Sequence, residues 1–147
     1  MMGSRTDRKM SRIAQELEGR ELTAEQQAVV DVYTGKKNNR PIVIQREDDE
    51  CRVIMRLGNE RGAGSKHSLF GHYETTEGII TADDILKIPD VIANGSRYPV
   101  KRGNVNLNRY RLTDENGVRY TVITEQKNNK EIFNDFYTNK KEHHQTL

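Results

Sequence analysis

The chain has 147 residues, of which 33% are apolar and 31% charged, with a formal net charge of +2, no Trp and three Phe. A chain this lean in apolar residues builds one modest core under a wide polar surface. It contains no apolar run of membrane-spanning length and no charged start leading into an apolar segment, which implies a soluble chain without an export signal of its own; its single cysteine, Cys51, excludes an internal disulfide and any multi-cysteine zinc module.

In chain order, "MMGSRTDRKM" has the character of a processed boundary and carries no fold information. The spacing of Met10, Ile13, Ala14 and Leu17 predicts a first helix over Asp7 to Leu17, stopped by Gly19. A second helix opens at Thr23, with Gln26 at capping-box spacing; it buries Ala28, Val29 and Val32 and ends at Gly35. "PIVIQ" and "CRVIMRLG" read as two strands paired as a hairpin across the acidic "REDDE", with Cys51 a small buried hydrophobe.

Next comes "GSKHSLFGHYETTEGIITADD", in which His67 and His72 flank Leu69 and Phe70, an apolar pair expected to anchor the segment in the core. "TADDILKIPDVIANG" predicts a helix capped by Thr81, with Asp83 and Asp84 in the first turn where the helix dipole favours anions. Its buried stripe is Ile85, Ile88, Val91 and Ile92; Pro89 divides it and Gly95 ends it. Beyond lie four runs rich in β-branched and aromatic residues, "SRYPVK", "NLNRYRLTD", "VRYTVITEQ" and "EIFNDFYTN", with the hairpin signal Asn116-Gly117 between the second and third. The expectation is an α+β fold: N-terminal helices, then a helix packed on a twisted antiparallel sheet of about four strands. Residues 1–35 form a helical segment of linker or uptake character, residues 36–147 the main domain, and "KKEHHQTL" a frayed tail.

Charge is unevenly distributed. Residues 66–94 hold five carboxylates against two lysines, whereas Asn94 to Leu112 holds Arg97, Lys101, Arg102, Arg109 and Arg111 and no carboxylate. Interleaved with Tyr98 and Tyr110, these cations suit a polyanion, or else form a solvated basic strand face. Arg109 and Arg111 share a face of their strand, while Thr121 and Thr124 lie on opposite faces of theirs.

The histidines define the chemistry. His67 and His72 are five apart, a spacing that fits neither HExxH nor a Cys/His zinc module, and His143 and His144 sit in the tail, so neither a metal nor another cofactor is expected. "GNERGAGSK" lacks the spacing of a phosphate-binding P-loop. Acid–base catalysis fits better. Cleaving RNA without a metal requires a base for the 2′-hydroxyl proton, an acid for the departing 5′-oxygen and cations around the phosphorane, and imidazole, titrating near about 6.5, suits both proton roles. Lys66, His67 and His72 in one stretch, a basic meander, and Tyr137 and Thr138 near its end supply such groups. Each histidine could equally be a polar residue satisfied in a turn.

The order "KHSLFGH…TxxDILxIPxVIxN…Y…NGVRYTVIT…FxxFYTxKK", over residues 64–141, resembles the BECR superfamily, named for barnase, EndoU, colicins and RelE, in the branch found in phage proteins and at the C-termini of bacterial polymorphic toxins. The resemblance implies a twisted four-stranded antiparallel sheet carrying the active site and a metal-independent ribonuclease, usually directed at tRNA and leaving a 2′,3′-cyclic phosphate. It further implies a toxin of contact-dependent growth inhibition, released from a cell-surface effector to act in the cytoplasm of a target cell. A cognate immunity protein, acidic where it meets the basic cleft, would neutralise it. Carried over, Lys66-His67 falls on the first catalytic position, His72 is the complementary proton-transfer group, and Tyr137 orients or protonates the scissile phosphate. The Thr/Ser-x-Tyr element of related domains falls on Asn134 to Thr138, but Asp135 stands where a hydroxyl residue is expected, so either Thr138 supplies that hydroxyl or the element lacks one. Arg97, Lys101, Arg102, Arg109 and Arg111 would contact the RNA backbone. The alternatives are a non-catalytic RNA-binding module and a protein-interaction domain of phage or secretion origin.

Overall fold

The computed structural model describes residues 5–142; His143 and His144 lie outside the described residues. The fold is α+β. Two helices, α1 (Arg5–Glu16) and α2 (Ala24–Tyr33), precede the hairpin β1 (Asn39–Gln45) and β2 (Glu50–Arg56). Three short helices follow, α3 (Ser65–His72), α4 (Ala82–Ile85) and α5 (Ile88–Asn94), and then the meander β3 (Ser96–Arg102), β4 (Val105–Thr113), β5 (Arg119–Lys127) and β6 (Lys130–Thr138). No helix among the described residues is long and apolar enough to cross a membrane.

Local chemistry explains most of these elements. Thr23 and Gln26 form a reciprocal capping box at the start of α2, each side chain accepting the other's backbone N–H at 3.0–3.1 Å. Thr81 and Asp84 repeat the device at the start of α4. Pro89 falls at the second position of α5, where no N–H is needed, so the helical run divides at Leu86 and Lys87 rather than at the proline itself. At the β4–β5 turn Asp114 and Val118 close a three-residue loop, and the Asp114 carboxylate accepts the N–H groups of Asn116 and Val118, each at 2.9 Å.

The sheet has six strands in the order β1-β2-β6-β5-β4-β3, not four. The meander alone matches the four-stranded expectation. The β1–β2 hairpin extends it through a parallel junction of two residue pairs, Val53 with Glu131 and Ile54 with Ile132. One face of the sheet is covered by helices: α2 lies on β1 and β2, and α5 on β4 and β5. Ile42, Ile44, Val53, Met55, Tyr110, Val122, Phe133 and Phe136 point into this layer and share one core with Ile13 of α1, Val29 and Tyr33 of α2, and Ile88 and Ile92 of α5. The N-terminal helices are thus packed into the same core as the sheet. The first helix, expected from Asp7, begins already at Arg5, so that Arg5 and Thr6, expected to carry no fold information, belong to α1, with Thr6 buried. Lys140 to Glu142, expected to fray, are tied down: Lys140 pairs with Asp84 at 2.6 Å and the Glu142 N–H reaches the Thr76 carbonyl at 2.8 Å.

Candidate active site

Strand β6 departs from simple alternation, and the departure builds the site. Phe133 and Phe136 are three residues apart yet both fully buried against the helices. Regular pleating would put them on opposite faces. The register resolves the conflict, because Thr124 pairs with Phe133 and Ile123 with Asp135, leaving Asn134 as one extra residue in β6. The bulge resets the phase, so that Asp135 and Tyr137 both face away from the helices. Two cross-strand rows result on that open face. One runs Tyr98, Arg109, Ile123, Asp135; the other runs Ser96, Arg111, Thr121, Tyr137.

Beyond the two parallel pairs β2 and β6 separate, and α3 fills the gap. Its entry residue Gly64 donates to the Asn134 carbonyl at 2.7 Å, the Lys66 N–H to Leu57 O at 2.9 Å and the Ser68 hydroxyl to Phe136 O at 2.9 Å. Arg56 completes the seam, bonding the Phe133 carbonyl at 3.0 Å and Asn134 Oδ1 at 2.6 Å. The exposed edge of β6 is thereby satisfied by a helix rather than a strand. Burial pushes the Tyr33 phenol well above its ordinary range, so it stays protonated and donates to Ser68 Oγ at 2.8 Å, locking the helix from behind. Gly64 adopts φ +106°, and a Cβ there would meet the Leu57 carbonyl oxygen at 2.7 Å, so only glycine admits α3 this close.

This wedge carries both histidines to Asp135. His67 Nε2 and His72 Nε2 each lie 3.7 Å from the same oxygen, Asp135 Oδ2, at ion-pair rather than direct hydrogen-bond distance. The other carboxylate oxygen accepts the Phe136 N–H at 2.8 Å, which fixes the group's orientation. The imidazoles are held differently. His67 Nδ1–H donates to the Glu60 carbonyl at 2.9 Å, so in neutral His67 the lone pair sits on Nε2 and faces the cleft. His72 Nδ1 is buried without a hydrogen-bond partner, and an N–H buried there would be unsatisfied; neutral His72 therefore carries its proton on Nε2. Its ring packs on Tyr137, with centroids 5.2 Å apart and planes tilted 34°. In front of Asp135 opens a cavity of roughly 320 Å³, lined by His67, Asn134, Asp135 and Tyr137 on one side and by Arg102, Leu107, Arg109 and Ile123 on the other. A base-type imidazole, a carboxylate, a phenol and two guanidinium groups line this concavity, while His72 does not line it and stands beside Asp135 and Tyr137; such a set can transfer protons and hold an anion.

The expected site residues divide sharply. His67, Tyr137, Arg102 and Arg109 line the cleft, His72 adjoins it beside Asp135 and Tyr137 without lining the cavity, and Arg111 stands one row away, opposite Thr121 and in line with Tyr137. Lys66 and Thr138 do not join them. Lys66 bonds through its backbone to Leu57, just past the end of β2, and does not line the cavity. Thr138 pairs with Tyr120 on the helix face, buried, where its hydroxyl donates to the Ile79 carbonyl. Arg97 also faces the helices, pairing with Asp48 and Asp49 and reaching Cys51 Sγ at 3.4 Å; although burial opposes its charge, Tyr110 and Asp49 hold its pKa above the ordinary arginine value. Lys101 falls on that same face, opposite Asn106. Thr121 lies on the open face and Thr124 on the other, where it donates to Glu131 at 2.6 Å. Leu69 is buried as expected, but Phe70 is 44% exposed, because α3 turns only part of its circumference to the core.

The residue that organises the cleft, Asp135, stands where a hydroxyl residue was expected in the chain's terminal element. Among the described residues, no group of three or more His, Cys, Asp and Glu side chains is arranged to hold a metal ion. Comparison with family models, with curated proteins and with solved structures gives no match.

Proposed function

We propose that the protein is a ribonuclease that cleaves RNA by 2′-hydroxyl attack and needs no metal ion. The observation that carries the reading is the convergence of His67 and His72 on one oxygen of Asp135, beside Tyr137 and Arg109 at the mouth of a cavity. His67 Nε2 takes the 2′-hydroxyl proton, the 2′-oxygen attacks phosphorus, and His72, as an imidazolium whose unsatisfied Nδ1–H is a cost that the Asp135 carboxylate beside Nε2 offsets, gives a proton to the departing 5′-oxygen. The products are a 2′,3′-cyclic phosphate and a free 5′-hydroxyl. The hydrogen bond from His67 to Glu60 supports this division of labour, since it keeps the Nε2 lone pair toward the substrate. Asp135 orients both rings and offsets the positive charge passed between them, while Arg109, Arg102 and the Tyr137 hydroxyl stabilise the phosphorane oxygens. Tyr98, 51% exposed and directly opposite Arg109 in register, offers a ring on which a base can stack.

The resemblance over residues 64–141 supports a more specific role: a tRNA-cleaving toxin of interbacterial growth inhibition, delivered into the cytoplasm of a target cell. Its immunity protein would bring carboxylates to Arg102 and Arg109.

The test is incubation of the purified protein with tRNA and with a defined oligoribonucleotide, with and without EDTA, followed by analysis of the product ends. Cyclic phosphate ends in the presence of EDTA, reduced about 10²–10⁴-fold by His67→Ala, support the proposal. Loss of cleavage on chelation would overturn the metal-free mechanism. Binding without cleavage would make the protein an RNA-binding module instead.

A further inference from the structure

Helix α1 carries a basic stripe that the cleft chemistry does not use. Arg5, Arg8 and Arg12 are exposed at helical spacing, and with Lys9, Glu74 and Thr75 they line a surface cavity of roughly 390 Å³. Among the described residues one ion pair engages this stripe, Arg12 with Glu74 at 2.8 Å. Three guanidinium groups thus stand against the Glu74 carboxylate on a concave surface, with the Lys9 ammonium turned to a backbone carbonyl and Asp7 exposed on the same helix.

The stripe is tied to the cleft by specific contacts. Lys9 is buried, and its ammonium donates to the Leu69 carbonyl at 2.9 Å, at the C-terminal end of the helix that carries both histidines. Thr6 donates to the Glu60 side chain, and the Glu60 backbone carbonyl is the acceptor that orients His67. Further along, Tyr73 donates to Glu16 at 3.1 Å. Contacts at the start, middle and end of α1 therefore fix it alongside α3, with its arginines facing outward.

We propose that α1 is a second RNA-backbone site, which receives the phosphates flanking the cleavage point and extends the cleft around the outer side of α3. This inference rests on the ribonuclease reading for its ligand. Residues 1–35 would on this view contribute substrate affinity directly. The chemistry favours a phosphate backbone because the cavity is rimmed by guanidinium groups, which pair with phosphate in a planar, two-point geometry, and because it lies next to the helix that presents the catalytic imidazoles.

The test compares wild type with the double variant Arg5→Glu and Arg8→Glu. Carboxylates in the first turns of a helix suit its dipole, so folding should survive, and circular dichroism checks it. For tRNA the variant should raise KM at least tenfold at low salt and reduce the salt slope of binding by about 1.4, at about 0.7 per lost phosphate contact. Cleavage of a dinucleoside phosphate, too short to leave the cleft, should be unchanged. Unchanged KM and salt slope for tRNA would overturn the proposal, as would equal losses on both substrates. Binding of a fully 2′-O-methylated oligonucleotide separates this inference from the catalytic one. If wild type cleaves nothing but binds that oligonucleotide, the ribonuclease reading falls, and weaker binding by the double variant still supports the α1 site. If wild type does not bind it, the α1 site falls as well.

Discussion

His72 and Gly78 touch at a point where no side chain fits: a Cβ on Gly78 would stand 2.7 Å from His72 Nδ1. The contact explains how a buried ring nitrogen is left without a partner and yet held in place. Gly78 also has φ +63°, a backbone state that an alanine occupies at a cost of roughly 1–2 kcal/mol. Gly78→Ala should therefore lower thermal stability by about that amount and displace the imidazole. A shift of about 1 Å is enough to cost on the order of 10²-fold in rate. Parallel melting curves and single-turnover cleavage rates would test both parts, and a full rate with the stability loss would show that His72 need not be held there.

Asp135→Asn separates charge from shape. The amide oxygen can still accept the Phe136 N–H that the carboxylate accepts now, so the fold should persist. Neither histidine then has an anion beside it, and cleavage should drop by about 10²–10⁴-fold, the range lost with an acid–base partner. Wild-type activity in this variant would mean that the carboxylate does not organise the pair.

The two faces of the meander give opposite forecasts for neighbouring cations. Arg109→Ala removes a guanidinium from the cleft and should weaken RNA binding across sequences while reducing the salt slope by about 1. Lys101→Ala, on the face that looks toward the helices, should leave both affinity and slope at the wild-type value. Filter binding over a series of salt concentrations distinguishes them. Similar losses from both variants would contradict the assignment of faces.

Thr138→Val should change stability and not chemistry. The hydroxyl lies in the buried layer, donating to Ile79 and accepting from Lys140, and leaving such groups unsatisfied costs about 1–3 kcal/mol. Denaturant unfolding should show the loss, while cleavage below the new midpoint keeps its rate. A rate defect without a stability defect would return Thr138 to the site.

What the sequence revealed follows the range of each interaction. Thr23 with Gln26, the Asn116-Gly117 turn and the alternation around Cys51 are contacts between near neighbours, so their residue types declare them. The parallel pairing of Val53 with Glu131 joins positions far apart in the chain, and no local pattern encodes it. "KHSLFGH" had no helical stripe to read, because α3 is short and surrounded: Ser65, Ser68 and Leu69 are buried, with the Ser65 hydroxyl bonded to the Val32 carbonyl of α2 and the Ser68 hydroxyl to the Phe136 carbonyl of β6. In the site, His67, His72 and Tyr137 were legible from residue type and order. Asp135 was visible only as a departure from an expected pattern, and its role depends on the Asn134 bulge, which period-two reading cannot locate. Arg97 and Lys101 were assigned to the basic face by composition, and pairing with Tyr110 and Asn106 puts them on the other.

The extra residue at Asn134 makes the protein sensitive to length where it is tolerant of identity. A substitution there alters one bond to Arg56 and one wall of the cavity, while the backbone contact with Gly64 survives any side chain. Removing the residue leaves Phe133, Asp135, Phe136 and Tyr137 in unbroken alternation on their present sides, but takes away the carbonyl that accepts the Gly64 N–H and the amide oxygen that accepts from Arg56. What the extra residue secures on this strand is the seam with α3. Deletion of Asn134 should accordingly loosen α3 and its histidines from β6 and lower the cleavage rate, while the buried side of the strand stays in place.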